Sequence, residues 1–277
     1  MNIHPVANIK CTQERVLAIF KCFDAFCTAN DIPYFSLGGT LLGAVRHEGF
    51  IPWDDDIDVG IPREHYDRML TLASRIPGPF RIESQELSPD YIYPYAKVYD
   101  TNSVVTEDYI APFTRGFWID VFPIDGTYEN GMLRSLHFKA IKTINAASFI
   151  KSRRYNRKDS EGAKGIAKEI IALALCAIPQ QLLRSLLNWL LRRRLPLRSS
   201  AAGNLLGRWG TREIVPSTLF TTAATVSFCG MKIRAPASPS NYLSAIYGDY
   251  MKLPPEHQRI SGHRLTKVDF KESYIKQ

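Results

Sequence analysis

Residues 34–66 constrain the fold more than any other part of the chain. They read YFSLGGTLLGAVRHEGFIPWDDDIDVGIPREHY, with a glycine pair at Gly38-Gly39 followed by four aspartates within five positions. The aromatic-rich run 34–37 suits a strand, and the glycines let the backbone turn tightly and approach a ligand. Thr40 is expected to cap the helical segment TLLGAVRH. The pattern therefore predicts a strand, a tight turn and a helix ahead of an acidic cluster.

The acidic cluster indicates a metal site. In the run Asp56-Ile57-Asp58-Val59, polar and apolar residues alternate, so a strand would place Asp56 and Asp58 on one face. Two neighbouring carboxylates repel each other unless a proton or a cation lies between them. Hard oxygen ligands suit Mg²⁺ or Mn²⁺. A solvated acidic loop is the plain alternative. The alternation with apolar residues favours the metal site, and Asp54 and Asp55 either shape the turn or add charge behind the ligands.

A third carboxylate lies in the apolar run FWIDVFP at 117–123, whose one charged residue is Asp120. A buried carboxylate is costly unless it is paired or bound to metal. Asp120 therefore has the properties expected of a third ligand on a neighbouring strand. Asp125, just before Gly126, is interpreted as a turn residue.

With these residues in view, the stretch GGTLLGAVRHEGFIPWDDDIDVGIPREHY resembles the signature of the LicD family, which includes fukutin-like proteins. GFWIDVFPIDG at 116–126 and YGDYMKLPP at 247–255 also resemble that family. The resemblance implies an α+β nucleotidyltransferase fold like that of DNA polymerase β: a mixed sheet flanked by helices, with Gly38-Gly39, Asp56-Ile57-Asp58 and a later carboxylate at the site. It implies one catalytic domain over 1–277, with a helical insertion at 130–200.

The same resemblance implies residues that bind the phosphates of a nucleotide donor. The backbone of Gly38 and Gly39, with Thr40, would cradle the phosphates. Arg46 lies within the signature, and a guanidinium binds phosphate oxygens through two parallel hydrogen bonds. Lys97, just before the third carboxylate strand, is a second basic candidate.

The resemblance further implies a phosphotransferase. Such an enzyme would move phosphocholine from CDP-choline to a sugar hydroxyl of a cell-surface glycan or lipid-linked precursor, using Mg²⁺ or Mn²⁺ held by Asp56, Asp58 and Asp120 and leaving CMP. Asp120 would also orient or deprotonate the attacking hydroxyl. Trp53, Trp118 and Tyr95 could offer a cation–π face to the trimethylammonium group, or could be core residues.

Three alternatives stay open. The first is the same fold with CDP-ribitol or CDP-glycerol as donor, or acting as a nucleotidyltransferase. The second is a sugar-nucleotide glycosyltransferase with a DxD pair, although the glycine pair and the third carboxylate favour the nucleotidyltransferase pattern. The third is a non-enzymatic basic binding protein. We expect no nucleic-acid partner, because phosphate backbones repel an unneutralised acidic cluster.

The overall charge does not choose a partner. Lys and Arg number 35 against 27 Asp and Glu, which gives a net charge of +8. Such a surface suits a nucleotide, an anionic glycan or an anionic membrane face. The five cysteines form no CxxC pair, and the N-terminus lacks an apolar signal segment, so we expect a reduced, cytoplasmic protein.

Periodicity predicts the remaining elements. A basic helix at 181–195 ends in Arg192-Arg193-Arg194; it either touches a membrane peripherally or complements its own dipole inside the protein. The tail after His263 is expected to be loosely held. Further helices are predicted at 13–30 (with Thr12 as cap), 63–74, 132–150, 166–178 and 242–250, and strands at 80–84, 95–99, 103–106, 117–123, 209–214 and 225–234.

Overall fold

The computed structural model describes residues 9–153, 162–194, 198–260, 263 and 265–275. These residues form seven α-helices and twelve strands. The helices are α1 Ile9–Ala29, α2 Gly38–His47, α3 Arg63–Thr71, α4 Gly131–Lys151, α5 Gly162–Ala174, α6 Gln180–Leu191 and α7 Pro239–Tyr247. The strands are β1 Phe35–Ser36, β2 Asp58–Pro62, β3 Phe80–Glu83, β4 Ala96–Asp100, β5 Val104–Glu107, β6 Phe113–Arg115, β7 Trp118–Thr127, β8 Ala201–Gly203, β9 Ile214–Pro216, β10 Ala223–Phe228, β11 Met231–Pro236 and β12 Leu265–Asp269.

A mixed sheet forms the centre of the protein. Its strands run in the order β1-β2-β7-β4-β3, with β8 paired to β7 and β9 paired to β8. β2 and β7 are parallel, whereas the other neighbours along this path are antiparallel. A parallel pair needs a long crossover connection, and here that connection contains α3 and strands β3 to β6. The architecture is therefore α+β with a mixed sheet, as expected.

The sheet is buried by helices whose apolar residues recur at helical spacing. α1 contributes Val16, Ile19, Phe20 and Phe23 to the main apolar cluster, which matches the predicted amphipathic stripe. Every residue of β7 is buried, as in a central strand covered on both faces. A second cluster joins α2 and α7 around Leu41. These helices fix the ends of the strands that carry the acidic residues.

Three helices lie between β7 and β8 in the chain. β7 and β8 pair directly, so the chain leaves the sheet and re-enters it at adjacent positions. α4 and α6 are antiparallel: Gln180 Nε2 donates to Ser148 Oγ at 2.7 Å, and His137 Nε2 lies 2.8 Å from the Leu190 carbonyl oxygen. Pro179 separates α5 from α6 as predicted, whereas residue 195, the predicted end of the second helix, lies outside the described residues.

Among the described helices, none is individually long and apolar enough to cross a bilayer. The consecutive segments Gly165–Ala177 and Gln180–Leu191, bent by 96° at their junction, reach that length and composition only when taken together.

Several predicted boundaries were wrong. α1 begins at Ile9, so Thr12 is a buried residue inside the helix and not its cap. The region 209–214 contains a 3₁₀ turn at Gly210–Glu213 and only then the short strand β9. The glycine pair is itself the first turn of α2, whose N-cap position is Leu37. Thr40 therefore does not cap this helix.

Residues 265–275, which follow His263, are held in the structure, contrary to expectation. β12 pairs with β5 over the register from Leu265↔Glu107 to Asp269↔Val104. Phe270 stacks on Phe117 with ring centroids 4.9 Å apart. The tail therefore completes a three-stranded sheet, β12-β5-β6, beside the central one.

Asp125 is also not a turn residue. It lies within β7 and is fully buried, and its two carboxylate oxygens accept hydrogen bonds from Arg63 Nε and Nη2, both at 2.7 Å. Arg63, the first residue of α3, is buried as well. This bidentate pair attaches α3 to the central strand.

Candidate active site

Charged side chains form a row across four strands of the central sheet. Asp58 on β2 is directly opposite Asp120 on β7, and Asp120 is opposite Lys97 on β4. Lys97 in turn is opposite Glu83 on β3. Residues paired across neighbouring strands project to the same face. The sheet therefore aligns two carboxylates, an ammonium group and a further carboxylate on one face.

Asp56 joins this row from outside the strand. It precedes β2 instead of starting it, yet one carboxylate oxygen from each of Asp56, Asp58 and Asp120 lies within 4.8 Å of the others. Asp54, Asp55 and Asp56 form a second group that meets the same criterion. The structure thus brings together the three predicted ligands, and the cluster could hold a metal ion.

Electrostatics support a cation at this position. Burial, followed by repulsion from Asp56 and Asp120, raises the pKa of Asp58 well above its usual value. Burial also raises the pKa of Asp120, although the positive charge of Lys97 opposes the rise. The side chains present are oxygen ligands carrying more negative charge than Lys97 can neutralise. This donor set fits a divalent cation such as Mg²⁺ or Mn²⁺.

The glycine pair lies against the acidic residues. A Cβ atom on Gly38 would stand 3.1 Å from Asp58 Oδ2, and a Cβ atom on Gly39 only 2.5 Å from Asp54 Oδ2. Gly38 also has a φ of +49°, a backbone conformation that glycine adopts more readily than any residue with a side chain. A larger residue at position 39 would have to move the Asp54 carboxylate, and one at position 38 would also be strained by the backbone conformation.

Thr40 and Gln13 hold the acidic segment in place. The hydroxyl oxygen of Thr40, a buried side chain, accepts a hydrogen bond from the Asp58 backbone N–H at 2.8 Å. Gln13 Nε2 on α1 donates to the Asp54 carbonyl oxygen at 2.8 Å. Thr40 was expected to contact substrate; in the structure its hydroxyl positions the start of β2.

Lys97 is enclosed by protein. Its ammonium nitrogen lies 2.8 Å from Asp120 Oδ1, and the side chain is only 2% exposed. The same nitrogen lies 4.1 Å from the ring centroid of Trp118 and 4.3 Å from that of Tyr93, with Tyr95 further away at 5.8 Å. Two of the aromatic residues expected to face a substrate cation, Trp118 and Tyr95, therefore surround the protein's own ammonium group.

His263 joins the cluster from the far end of the chain. Its Nδ1 lies 3.0 Å from Asp55 Oδ1 and its Nε2 lies 3.7 Å from Asp56 Oδ2. The ring also packs edge-on to Trp118, with centroids 5.2 Å apart. Burial lowers the pKa of His263, but the hydrogen bond to Asp55 and the charges of Asp56 and Asp55 outweigh it and raise the pKa to about 10. Sequence reasoning did not identify this residue.

Arg46 lies at the end of α2, away from the row. Its Nη1 donates to the Tyr250 carbonyl oxygen and its Nε to His47 Nε2, each at 3.0 Å. Trp53 is half-buried beside the acidic segment, and the guanidinium of Arg259 lies 5.6 Å from its ring centroid. Burial and the nearby charge of Arg259 both lower the pKa of Arg46. Arg46 and Arg259 therefore place two positive charges near the C-terminal end of α2.

Tyr247 and Trp209 border the glycine pair. The Tyr247 hydroxyl oxygen would be 3.9 Å from a Cβ atom on Gly38, and Trp209 packs edge-on to Tyr247 with centroids 5.0 Å apart. Trp209 nevertheless remains 42% exposed. Tyr247 belongs to a stretch that resembles the LicD family, whereas the sequence around Trp209 gave no sign of proximity to the site.

Known proteins resemble this chain over nearly all or part of its length. The family described as LicD/FKTN/FKRP, nucleotidyltransferase domain, matches residues 31–151. The lipopolysaccharide cholinephosphotransferase LicD of Haemophilus influenzae is 27% identical over 268 residues, which cover 94% of this chain and 95% of that protein. An uncharacterized protein of Rickettsia typhi is 38% identical over 71 residues, 24% of this chain and 23% of that one. Another from Rickettsia prowazekii is 62% identical over 37 residues, 13% of this chain and 14% of that one.

The matched segment contains the glycine pair, the acidic cluster, Lys97 and Asp120. Residues 31–151 of this chain therefore match the nucleotidyltransferase domain of the LicD family, and the similarity to the Haemophilus LicD extends over nearly the whole chain.

Proposed function

We propose that this chain is a metal-dependent phosphotransferase. It moves phosphocholine, or a similar phospho-alcohol group, from a CDP-linked donor to a sugar hydroxyl of a cell-surface glycan or its lipid-linked precursor. The observation that carries the proposal is the approach of Asp56, Asp58 and Asp120 within 4.8 Å beside the glycine pair. The likeness to a lipopolysaccharide cholinephosphotransferase supports phosphocholine as the group and lipopolysaccharide as the acceptor class.

Asp56, Asp58 and Asp120 would hold the divalent ion in this proposal. Mg²⁺ or Mn²⁺ bound there would neutralise charge on the donor phosphates and polarise the phosphorus centre. His263 keeps Asp55 and Asp56 in position, and Lys97 does the same for Asp120. The chain itself thus orients the carboxylates from both sides.

In this proposal, the first turn of α2 receives the donor diphosphate. The N-cap residue, Leu37, makes no side-chain hydrogen bond to this turn. The leading N–H groups of a helix have no partners within the helix and carry partial positive charge. They favour phosphate oxygens, and Gly38 and Gly39 allow a close approach. Arg46 would add charge from the other end of α2.

In this proposal, Asp120 accepts the proton of the attacking sugar hydroxyl. The hydroxyl oxygen would form a bond to the phosphorus that bears the alcohol, and the bond from this phosphorus to the bridging oxygen would break. CMP would leave with that oxygen. Lys97 is enclosed, so it would act by holding Asp120 and not by contacting phosphate. Among the predicted aromatic residues, Trp53 is the one left to face the donor's cationic group, because Trp118 and Tyr95 surround Lys97.

The alternatives use different donors or none. CDP-ribitol and CDP-glycerol would fit the same phosphate site. A sugar-nucleotide glycosyltransferase is disfavoured by the third carboxylate, Asp120, directly opposite Asp58, and by the glycine pair against the cluster. A binding protein without activity leaves the convergence of three carboxylates unexplained. The acceptor class leads us to place the enzyme at the cytoplasmic face of the membrane.

A donor panel tests the proposal. The protein is incubated with Mg²⁺, a lipopolysaccharide acceptor and, in turn, CDP-choline, CDP-ribitol, CDP-glycerol, CTP or UDP-sugars, and the released nucleotide is identified. CMP from CDP-choline, with choline phosphate transferred to the acceptor, is the expected result. CMP from another CDP-alcohol would change the donor within the same reaction. Release of UDP from a UDP-sugar would show that the protein is a glycosyltransferase and not a phosphotransferase.

A further inference from the structure

The positive charge of the chain is concentrated in its helical region. Residues 131–200 contain 15 Lys and Arg against three Asp and Glu, a net charge of +12. The other 207 residues contain 20 Lys and Arg against 24 Asp and Glu, a net charge of −4. The proposed phosphotransfer site lies outside this region and does not require its charge.

Helix α6 presents an apolar stripe to solvent. Leu182, Leu186 and Trp189 follow one another at four- and three-residue steps, so they share one face. They are 58%, 39% and 53% exposed. The opposite face of the helix, formed by Leu183, Leu187 and Leu191, is already buried. α6 therefore has more apolar surface than the fold itself uses.

The exposed stripe is held in a fixed orientation by two arginines. Arg184 donates to the carbonyl oxygens of Pro89 and Tyr91, at 2.7 and 2.8 Å. Arg192 Nη2 donates to Asp67 Oδ1 at 2.9 Å. Because these bonds tie α6 to the sheet domain, the outward direction of its apolar face is set by the fold.

Exposed arginines lie at the end of this stripe. Arg193, Arg194 and Arg198 are all exposed, and the Arg193 guanidinium lies 4.9 Å from the ring centroid of Trp189. Arg194 and Arg198 line a cavity together with Leu133, in the first turn of α4. We call the exposed stripe and these arginines the basic apolar patch: Leu182, Leu186, Trp189, Arg193, Arg194 and Arg198.

The chemistry of the patch selects its occupant. Leucine and tryptophan beside arginines are the composition of a segment lying in the interface of an anionic bilayer. A second copy of the chain would bring two surfaces of the same strong positive charge together, which is unfavourable. A nucleic acid would use the arginines but leave the apolar residues uncovered.

We propose that the basic apolar patch docks the protein on an anionic lipid surface. Trp189, Leu186 and Leu182 enter the headgroup boundary while Arg193, Arg194 and Arg198 contact lipid phosphates. The role of this docking, bringing the site to a lipid-linked acceptor, rests on the proposed function; the docking itself does not.

Vesicle co-sedimentation of the full chain tests the proposal. Vesicles of phosphatidylcholine alone are compared with vesicles that also contain phosphatidylglycerol. We expect the protein to partition onto the anionic vesicles, and added salt to weaken the binding. The triple variant R193S/R194S/R198S should bind roughly a hundredfold more weakly, since each basic residue near the surface contributes about 1 kcal/mol. L186S/W189S should also bind more weakly, because it removes apolar contact area.

A matched control separates the patch from net charge. K21S/R75S/K232S removes the same number of exposed positive charges elsewhere and should bind anionic vesicles nearly as well as the unaltered protein. If the two triple variants lost vesicle binding equally, the basic apolar patch would not be a docking site, and only nonspecific electrostatic attraction would remain. Failure of the unaltered protein to bind anionic vesicles would overturn the docking outright, as would a dimer in sedimentation velocity that L186S/W189S dissociates.

Activity distinguishes this proposal from the one on which its role rests. With a detergent-dispersed acceptor and no vesicles, R193S/R194S/R198S should release nucleotide from its donor at the unaltered rate. With an acceptor embedded in anionic vesicles, its rate should fall with its binding. If the protein bound vesicles but turned over no donor, the docking proposal would stand and the proposed phosphotransferase activity would be wrong.

Discussion

Lys97 on β4 and Asp120 on β7 are directly opposite in register, and Lys97 Nζ lies 2.8 Å from Asp120 Oδ1. On the other side of Asp120 lies a second carboxylate, Asp58. The pair thus sets a positive charge at the edge of a strongly negative cluster, with both side chains buried. The contribution of this pair to stability and its contribution to activity can be measured separately.

Replacing Lys97 by glutamine should destabilise the fold. The substitution leaves the buried Asp120 carboxylate without its cation, and breaking a buried pair in this way costs about 3 kcal/mol or more. Denaturant unfolding at neutral pH measures the change. Lys232→Gln, at an exposed lysine, should change the free energy of unfolding by less than about 0.5 kcal/mol. Equal small changes in both variants would show that the Lys97–Asp120 contact is not a strong interaction.

Gly39→Ala should impair turnover more than stability. Its Cβ atom would be 2.5 Å from Asp54 Oδ2 and would push this carboxylate towards its neighbours in the acidic cluster. A displacement of catalytic groups by about 1 Å costs on the order of a hundredfold in rate. Gly131→Ala is the control, because its Cβ atom would meet nothing within 4 Å. Steady-state release of CMP measures both. Unchanged turnover in Gly39→Ala would mean that the glycine pair does not shape the site.

Glu213 should make stability depend on pH. Burial raises its pKa from 4.5 to about 7, opposed by hydrogen bonds from the Trp209 backbone and Asn204 and by the charge of Lys142. The folded protein therefore keeps a proton that the unfolded chain releases, and stability falls as pH rises from about 4.5 to 7. Glu213→Gln removes this loss, so its stability relative to the unaltered protein should improve by about 3 kcal/mol across that window.

Urea unfolding at pH 5 and pH 8 measures the Glu213 effect. Glu129→Gln, at an exposed glutamate, serves as the control for a change of one charge. Parallel pH profiles for Glu213→Gln and the unaltered protein would contradict the assignment.

Asp125→Asn should unfold far more easily than the unaltered protein. It leaves the buried Arg63 guanidinium without its bidentate partner, for which we expect a loss of about 3 to 5 kcal/mol. Glu169→Gln removes one carboxylate of an exposed pair with Arg153 and should cost at most about 1 kcal/mol. Guanidinium titrations compare the two, and a loss in Asp125→Asn as small as that in Glu169→Gln would argue against a structural role for the buried pair.

The sequence was informative where a charged residue interrupts an apolar strand. Asp120 in FWIDVFP could be identified because a buried charge is costly unless it is paired or bound to metal. Asp58 could be identified because its alternation with Ile57 and Val59 puts it on the strand face opposite those apolar residues. The helices α1 to α7 could be located by periodicity. Asp125 shows the limit of this reasoning. It also interrupts an apolar run, but it forms a salt bridge with Arg63, a partner that its position in the sequence does not reveal.

What the sequence did not predict depends on contacts between distant segments. His263 is 208 residues from Asp55, and its position follows from the pairing of β12 with β5. The aromatic residues around Lys97 come from β7 and from the residues before β4. No local pattern distinguishes a tryptophan that faces substrate from one that covers a lysine of the same protein.

The most direct test of the central claim is CMP release from CDP-choline by Asp58→Asn and Asp120→Asn, measured with Mg²⁺ and a lipopolysaccharide acceptor. Both substitutions keep the size of the side chain and remove its charge. Asp31→Asn is the control, since Asp31 is exposed with a φ of 51° that asparagine also tolerates. The account predicts a fall on the order of 10³-fold or more in both site variants and an unaltered rate in Asp31→Asn. Full activity in Asp58→Asn and Asp120→Asn would contradict it.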